Sequence, residues 1–352
     1  MILPSEEQKT PQQPALPAEA ATIAMSCRVR LARNLAGERF PDWATERDRE
    51  RILDAVYEAM DKDAPELGMV PIAGIEAQDR DVLYESRLIS RELMERAAGG
   101  GMAVAQDGSA CVMINEEDHL RIQGFARGLD MQTAWRRADE LDTRLERHLT
   151  YAWSPRLGYL TACPSNVGTG LRAGVMLHLL GLRLWGEIEP VVTALERMRL
   201  LVRGIGGEGS EAAGQIYQVS NMDTLGTDEA EIIRRVTRIC TEVVRQEYNA
   251  RVRLMQVSPL VLADCLARSL SILQNARLLT TAEALEFLSA LRLGAAMGLC
   301  TRLKVADVDT LILMMQPGHL QKGLGAEMSS DERDEMRADF LSRRVAHVKL
   351  KC

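Results

Sequence analysis

The segment that decides the fold runs from Tyr159 to Leu179 and reads YLTACPSNVGTGLRAGVMLHL. Its first apolar residues, 159 to 162, predict a short strand that ends at Cys163. A glycine-rich turn follows, and Arg172 then heads a second apolar run. A thiol beside backbone N–H groups and a fixed positive charge has a lowered pKa, and such a setting attracts anions. The segment therefore predicts a reactive cysteine at an anion site, or else a buried structural cysteine in a turn.

Composition limits the class of protein. The 352 residues are 46% hydrophobic, which is enough for two domains with sizeable cores, and the net charge of −7 argues against a general nucleic-acid binder. The seven cysteines include no CxxC pair, so neither a disulfide framework nor a zinc site is indicated. No signal peptide or apolar run of membrane-spanning length is found. We expect a soluble, cytoplasmic protein with no direct nucleic-acid or membrane partner.

Residues 1–21 are rich in proline, glutamine and alanine without periodicity, which predicts a disordered leader. The segment 26–34, SCRVRLARN, alternates arginine with apolar residues. In an extended strand this pattern directs Arg28 and Arg30 to one side while Val29 and Leu31 pack on the other. The two arginines are then either solvated surface residues or part of a binding face.

A β-hairpin is predicted over residues 103–114, closed by an Asp-Gly turn at 107–108. Its second strand runs directly into Glu116, Glu117 and Asp118. Three consecutive carboxylates repel one another unless they meet cations, a metal or a cationic substrate. The run is a solvated acidic turn, a guanidinium-binding group or a magnesium ligand.

Glycines 204, 206 and 209 match the spacing of a dinucleotide-binding fingerprint. The next strand-like run begins at Gln215, which leaves too few residues for the crossover helix that such a site needs. A glycine loop carrying Arg203 and Glu208 is the better interpretation.

Five blocks now occur in order along the chain: SCRVRLARN, NEEDHLRIQ, CPSNVGTGLRAGVM, VRGIGGEGSEA and QIYQVSN. They resemble the successive signature blocks of the ATP:guanido phosphotransferases, and the resemblance extends from about residue 24 to 344. It implies an α/β fold of the α+β type, with a largely antiparallel sheet flanked by helices and a helical C-terminal domain. It also implies ATP as phosphoryl donor with Mg²⁺.

The resemblance further implies roles for individual residues. Glu117 is the expected general base, Glu116 its catalytic neighbour, Glu208 a second carboxylate on the glycine loop, and Cys163 a thiolate near the acceptor guanidinium. The residues expected to bind the nucleotide are Ser26, Cys27, Arg28, Val29, Arg30, Arg87, Arg121, Arg172, Ala173, Gly174, Val175, Met176, Arg203, Gly204, Ile205, Gly206 and Gly207. No protein ligand to the metal is assigned.

Three positions depart from the family pattern. Cys27 stands where a second serine is usual, Arg87 replaces a histidine associated with nucleotide binding, and Gly206 replaces a larger residue. Nucleotide affinity and the dynamics of the glycine loop are the properties that these changes affect. None of them removes an expected catalytic group.

The C-terminal third predicts helices, with Pro259 in a first turn, a capping box from Thr280 to Glu283 and a stop at residues 317–318. The final helix contains Arg333-Asp334-Glu335-Met336-Arg337-Ala338. This resembles the RDxxRA motif of the protein arginine kinases, in which it forms a regulatory phosphoarginine pocket; the residues implied are Arg333, Asp334, Arg337 and Ala338. The two arginines are one turn apart and could grip a phosphoryl group, or simply form a solvated helix face.

The domains expected are a leader (1–21), a catalytic domain (22–255) and a helical domain (256–352). A short leader in place of an N-terminal helical domain favours protein arginine phosphorylation, in stress response and proteolysis, over phosphorylation of small guanidino compounds. A catalytically weak phosphoarginine-binding adaptor is the other alternative. The expected partners are proteins with exposed arginines, a heat-shock repressor, a ClpC-type unfoldase and a further copy of this chain in a homodimer or larger oligomer.

Overall fold

The computed structural model describes residues 18–96, 98–204 and 212–351, and these contain twelve strands and twelve α-helices. The strands are β1 (Ala24–Arg33), β2 (Leu67–Pro71), β3 (Gly101–Ala105), β4 (Ala110–Ile114), β5 (Leu120–Arg127), β6 (Trp153–Ser154), β7 (Gly158–Tyr159), β8 (Leu171–His178), β9 (Leu200–Gly204), β10 (Ile216–Asn221), β11 (Cys300–Thr301) and β12 (Lys349–Leu350). The helices are α1 (Glu46–Asp63), α2 (Ala77–Glu85), α3 (Arg91–Glu95), α4 (Met131–Glu146), α5 (Leu180–Trp185), α6 (Ile188–Arg197), α7 (Glu229–Val257), α8 (Pro259–Asn275), α9 (Thr281–Ala296), α10 (Val305–Met314), α11 (Pro317–Leu324) and α12 (Ser330–Val345).

Eight of the described strands form one sheet in the order β2-β3-β4-β5-β1-β8-β10-β9, and each neighbouring pair is antiparallel. The expected antiparallel sheet is therefore confirmed, as is the hairpin of β3 and β4. β9 pairs directly with β10, with Val202 opposite Val219. This antiparallel pairing agrees with rejecting a dinucleotide-binding βαβ unit at the glycine segment.

Helices α1, α4 and α7 cover one face of the sheet. α1 begins with a capping box, in which Thr45 and Asp48 bond to each other's backbone N–H groups. α4 approaches β5 closely at Gly124, where an added Cβ atom would clash with the carbonyl oxygen of Ala134. The helices therefore lie directly on this face of the sheet, whereas the opposite face carries the arginines of β1 and, at β3 and β4, the buried side chains of Met102 and Met113.

Helices α8 to α12 build a second core, which lies against the end of the same sheet. Ile216 of β10 is fully buried in this second core, and Met25 and Met176 pack against it. α8 begins at Pro259, as predicted. α10 ends at Met314, but Pro317 occupies the first turn of α11 instead of ending the helical region, because proline fits the first helical position.

Within the described residues, no single helix is long and apolar enough to cross a membrane. α7 and α8 pass that test only as a pair, and they are bent by 101° relative to each other.

Candidate active site

Strand β1 supplies the centre of the site. Val29 and Leu31 are fully buried on the helix-covered side, whereas Arg28 and Arg30 face the other side and are only partly covered. The alternation predicted for this strand is confirmed. In the neighbouring strand β8, Arg172 lies directly opposite Arg30. Two cations in one cross-strand pair destabilise a sheet unless an anion lies between them.

The charges of the cluster act on one another. Burial, and then the charge of Arg121, lowers the pKa of Arg28 to about 10. Burial also lowers the pKa of Arg30, with Arg28, Arg121 and Arg172 as further causes. Burial, then the charges of Arg203 and Arg121, lowers the pKa of Arg172. Guanidinium groups nevertheless stay protonated in proteins, so each lowered pKa reflects a buried positive charge with cationic neighbours, a combination that a bound polyanion would relieve.

The hydrogen bonds of the arginine cluster bear on whether it suits a triphosphate. The Nε atom of Arg30 is buried and has no hydrogen-bond partner among the described residues. A buried N–H donor without an acceptor is costly, and it is usually satisfied by a ligand or by water. The arginine cluster therefore fits the phosphates of ATP in both charge and donor capacity.

Arg87 joins this cluster from the end of α2. Its Nη1 lies 3.0 Å from the Sδ atom of Met176. Burial, followed by repulsion from Arg28, lowers its pKa to about 9. The arginine that replaces the family's histidine thus adds another cation at the side of the cluster nearest the second core.

The other residues that the sequence analysis assigned to the nucleotide and acceptor sites lie in the core, on strands of the sheet or outside the described residues. The side chains of Cys27, Val29, Ala173 and Val175 are in the core behind the sheet. Ser26, Gly174 and Arg203 lie on strands of the sheet, and Gly204 ends β9. Ile205, Gly206, Gly207 and Glu208 lie outside the described residues.

The carboxylates follow β4 and turn back toward the cluster. Arg121 of β5 donates from Nη1 to Oε1 of Glu116 at 2.7 Å and from Nη2 to Oε2 of Glu117 at 2.8 Å. The Glu116 side chain is 1% exposed and that of Glu117 is 36% exposed. Glu116 therefore holds Arg121 from the buried side, while Glu117 is partly exposed to solvent.

The environment of Glu117 makes it a better base than an ordinary glutamate. Burial raises its pKa, and the charges of Asp118 and Glu116 add to this rise; Arg121 and the Cys163 thiol oppose it. A carboxylate whose pKa is closer to neutrality accepts a proton more readily during catalysis.

Two residues to which the sequence analysis assigned no role of their own, Asp118 and Asn34, connect the carboxylates to Cys163. Oδ1 of Asp118 accepts hydrogen bonds from Nδ2 of Asn34 at 2.6 Å and from the backbone N–H of Ala162 at 2.7 Å. Asp118 and Asn34 are both buried. The acidic run was a visible signal for Asp118, but no pattern in the sequence shows which of the three carboxylates turns inward.

Cys163 is presented by an irregular segment. The strand predicted to reach residue 162 is confined to β7, because the residues after Tyr159 bond to Asn34, Ala152 and Asp118 rather than to a continuing strand. The Cys163 thiol lies 3.0 Å from the Ser165 hydroxyl. It is also near enough to both Glu117 and Arg172 to influence their pKa values.

The RDxxRA residues lie on α12, far along the chain from the arginine cluster and the carboxylates. Arg337 is 1% exposed and donates to the carbonyl oxygens of Met315 (2.9 Å) and Leu279 (2.7 Å) and to Asp334 (2.5 Å). Arg333 donates to the carbonyl oxygen of Met328, and Ala338 is buried. Arg337 thus bonds to three segments of the chain. Its side chain is buried, whereas that of Arg333 is only half-buried.

The described residues contain no group of three or more His, Cys, Asp or Glu side chains placed to hold a metal ion.

Comparisons with known proteins agree with this geometry. The profile of the ATP:guanido phosphotransferase C-terminal catalytic domain matches residues 49–250, and that of the protein-arginine kinase McsB C-terminal domain matches residues 259–351. The chain is 40% identical over 333 residues to a protein-arginine kinase of Syntrophomonas wolfei, with 93% of each chain covered. It is 41% identical over 332 residues to one of Symbiobacterium thermophilum, covering 93% of this chain and 94% of the relative.

Solved structures show the same fold. The crystal structure of a lombricine kinase superposes with a TM-score of 0.58 at 26% identity, covering 65% of this chain and 67% of that one. The duplicated taurocyamine kinase from Schistosoma mansoni, with bound transition-state-analogue components, gives a TM-score of 0.58 at 26% identity. That match covers 64% of this chain and only 33% of the duplicated one. The chain therefore belongs to the ATP:guanido phosphotransferase family, within its protein-arginine kinase branch.

Proposed function

We propose that this protein transfers the γ-phosphoryl group of ATP to arginine side chains of other proteins. The observation that carries the proposal is the bridge from Arg121 to Glu116 and Glu117, which sets a partly exposed carboxylate beside an arginine cluster and a cysteine. The cluster suits a triphosphate, and the carboxylate suits a guanidinium. Relatives that align over 93% of the chain bear the name protein-arginine kinase.

Phosphoryl transfer to arginine requires that the guanidinium be aligned with the γ-phosphorus and lose a proton. An arginine side chain has a pKa far above neutrality, so it arrives protonated and is a poor nucleophile. Glu117 accepts its N–H hydrogen bond, aligns one guanidinium nitrogen with the γ-phosphorus and takes the proton as the P–N bond forms. The bond between the γ-phosphorus and its bridging oxygen breaks, and ADP leaves with the electron pair. Arg28, Arg30 and Arg172 stabilise the negative charge.

Cys163 and Glu208 complete the proposed acceptor side. The thiol of Cys163 lies beside Glu117, so its position also fits contact with the acceptor guanidinium. Glu208 is assigned as the second carboxylate from the family resemblance. Mg²⁺, also implied by the family, would enter with the nucleotide, since no protein ligand is assigned to it, and would offset the charge of the phosphates.

Five finer proposals follow from the sequence and its family resemblance. They are a heat-shock repressor and a ClpC-type unfoldase as partners, a homodimer or larger oligomer, a cytoplasmic location, and phosphoarginine binding at Arg333, Asp334, Arg337 and Ala338. A boundary between the catalytic and helical domains near residue 256 belongs to the same set.

The test is transfer of label from γ-labelled ATP with Mg²⁺ to casein, with free arginine as a parallel acceptor. Label on casein that is labile in acid and stable in alkali is expected, because a P–N bond has these properties. Glu117→Gln should reduce transfer by about 10² to 10⁴-fold while the protein stays folded. Glu58→Gln, at an exposed position on α1, is the matched control and should transfer normally.

The alternatives give different results. Acid-stable label would show phosphorylation of hydroxyl groups and overturn the mechanism. Label on free arginine alone would indicate a kinase of small guanidino compounds. No label with either acceptor, in a protein that still binds phosphoarginine, would indicate the adaptor.

A further inference from the structure

Arg87 enters the arginine cluster from a backbone conformation that normally belongs to glycine. Its φ angle is +62°. The N–H of Arg87 bonds to the carbonyl oxygen of Tyr84 at 2.8 Å, and that of Leu88 bonds to the carbonyl oxygen of Leu83 at 3.0 Å. This pair of bonds is the Schellman ending of a helix, in which the left-handed residue is usually glycine. A side chain is unfavourable there, and such conformations persist where the surroundings hold them in place.

The surroundings that hold the end of α2 come from the C-terminal helices. Glu85, the last residue of α2, accepts backbone N–H groups at the start of α11: that of Gly318 at 2.7 Å and that of His319 at 3.0 Å. Nδ1 of His319 lies 2.7 Å from the same carboxylate. The two side chains are only 10% and 11% exposed. Glu85 is therefore both the last residue of α2 and a cap for the N-terminus of α11.

Contacts with α12 and the segment before it also hold α11 and the turn that precedes it. Nε of Arg337, on α12, donates to the carbonyl oxygen of Met315, which follows the last residue of α10. The side chain of Gln321, on α11, accepts the backbone N–H of Met328, which precedes α12. The position of α11, and with it that of Glu85, is thus set by the helices of the second core.

We propose that Glu85 and His319 are positioning residues for the nucleotide site, and the inference rests on the proposed nucleotide role of Arg87. By clamping the end of α2 to α11, they hold Arg87 in its left-handed conformation with its guanidinium beside Met176 and near Arg28. Nucleotide affinity is then controlled by how the C-terminal helices dock on α2. Neither residue contacts the phosphates itself.

The test measures the dissociation constant for ATP by calorimetry, and KM and kcat for ATP where transfer is detected. Glu85→Ala should weaken ATP binding by roughly fivefold or more and raise KM, while kcat at saturating ATP changes little. Lys322→Ala is the matched control, because Lys322 pairs with Asp79 across the same two helices at exposed positions away from Arg87. It should bind ATP like the wild type.

A double-mutant cycle separates positioning from general stabilisation. In the background of Arg87→Gly, Glu85→Ala should change ATP affinity by less than about twofold, since its effect passes through Arg87. If Glu85→Ala does not fold, His319→Ala and Glu85→Gln replace it in the same cycle.

The outcomes distinguish this inference from the proposed function. Equal ATP affinities for Glu85→Ala and Lys322→Ala, or full additivity with Arg87→Gly, would overturn the positioning role alone. A wild-type protein that binds ATP but labels no arginine would overturn the proposed function alone. A wild type that binds no ATP would overturn both.

Discussion

Glu117 lies between two acids and one cation, and that setting determines how its activity should depend on pH. A general base works only when ionised, so activity falls as pH drops through its pKa. Burial, Asp118 and Glu116 raise the pKa of Glu117. The pKa that the acid limb of the kcat/KM profile reports should therefore lie above 4.5, the ordinary pKa of a glutamate side chain. Asp118→Asn removes one of the charges that raises this pKa, so the acid limb should move to lower pH.

The measurement is the pH profile of kcat/KM for the acceptor at saturating ATP. Asn at position 118 can still accept the hydrogen bonds from Asn34 and Ala162, which keeps the Cys163 segment in place. Asp79→Asn, at a partly exposed site on α2, should leave the profile unchanged and serves as the control. An unchanged or upward-shifted acid limb in Asp118→Asn would contradict Glu117 as the base.

At the scale of elements, Arg33 connects three of them around the Cys163 segment. Its Nε and Nη2 donate to Oδ2 of Asp142 on α4, at 3.1 and 2.7 Å, and its Nη1 donates to the carbonyl oxygen of Thr169. Its guanidinium also lies 3.5 Å from the centre of the Tyr159 ring. The end of β1, the helix and the turn before β8 are thus held by one buried side chain.

Removing the partner of this buried cation should be costly. Asp142→Ala leaves Arg33 without its carboxylate, and the free energy of unfolding should fall by about 3 to 5 kcal/mol. Denaturation in urea, followed by circular dichroism, measures this change. Glu58→Ala removes the partner of Lys62 in an exposed pair and should cost less than about 1 kcal/mol. Equal losses in the two variants would show that Arg33 is not a structural tie.

The elements that the sequence predicted are those with local signals. Thr280 with Glu283 marks a helix start through bonds that the pair makes within four residues, and this predicted capping box is present. The alternation around Arg28 and Arg30 likewise predicts which face of the sheet carries the arginine cluster, because side chains of a strand alternate between faces.

What the sequence could not predict depends on contacts between distant segments. Arg33 looks like one more arginine of the alternating strand, yet its burial depends on Asp142 and Thr169, more than a hundred residues away. The path of the chain before Cys163 depends in the same way on Asp118 and Asn34. Fixed spacing placed Arg333 and Arg337 on one helix but did not show that Arg337 is buried against backbone carbonyl groups.

At the scale of the whole molecule, the catalytic sheet and the C-terminal helices share buried surface. Ile216 of the sheet lies in the second core, and Arg292 of α9 donates to the carbonyl oxygen of Thr22 just before β1. His178 of β8 bonds to the Ser289 hydroxyl of α9 at 2.8 Å. These contacts lead us to expect that the two parts unfold together.

The tryptophans allow this to be tested, since all four, at positions 43, 135, 153 and 185, precede the C-terminal helices. Leu288, in α9, is fully buried in the second core, and Leu288→Ala should cost about 2 to 5 kcal/mol. If the molecule is one cooperative unit, this change lowers the urea midpoint seen by tryptophan fluorescence as much as the midpoint seen by circular dichroism. Leu278→Ala, at a site 65% exposed, should shift neither. A fluorescence midpoint that stays fixed while circular dichroism shifts would mean that the helical part unfolds alone, and the α2–α11 clamp would then be too weak to hold Arg87.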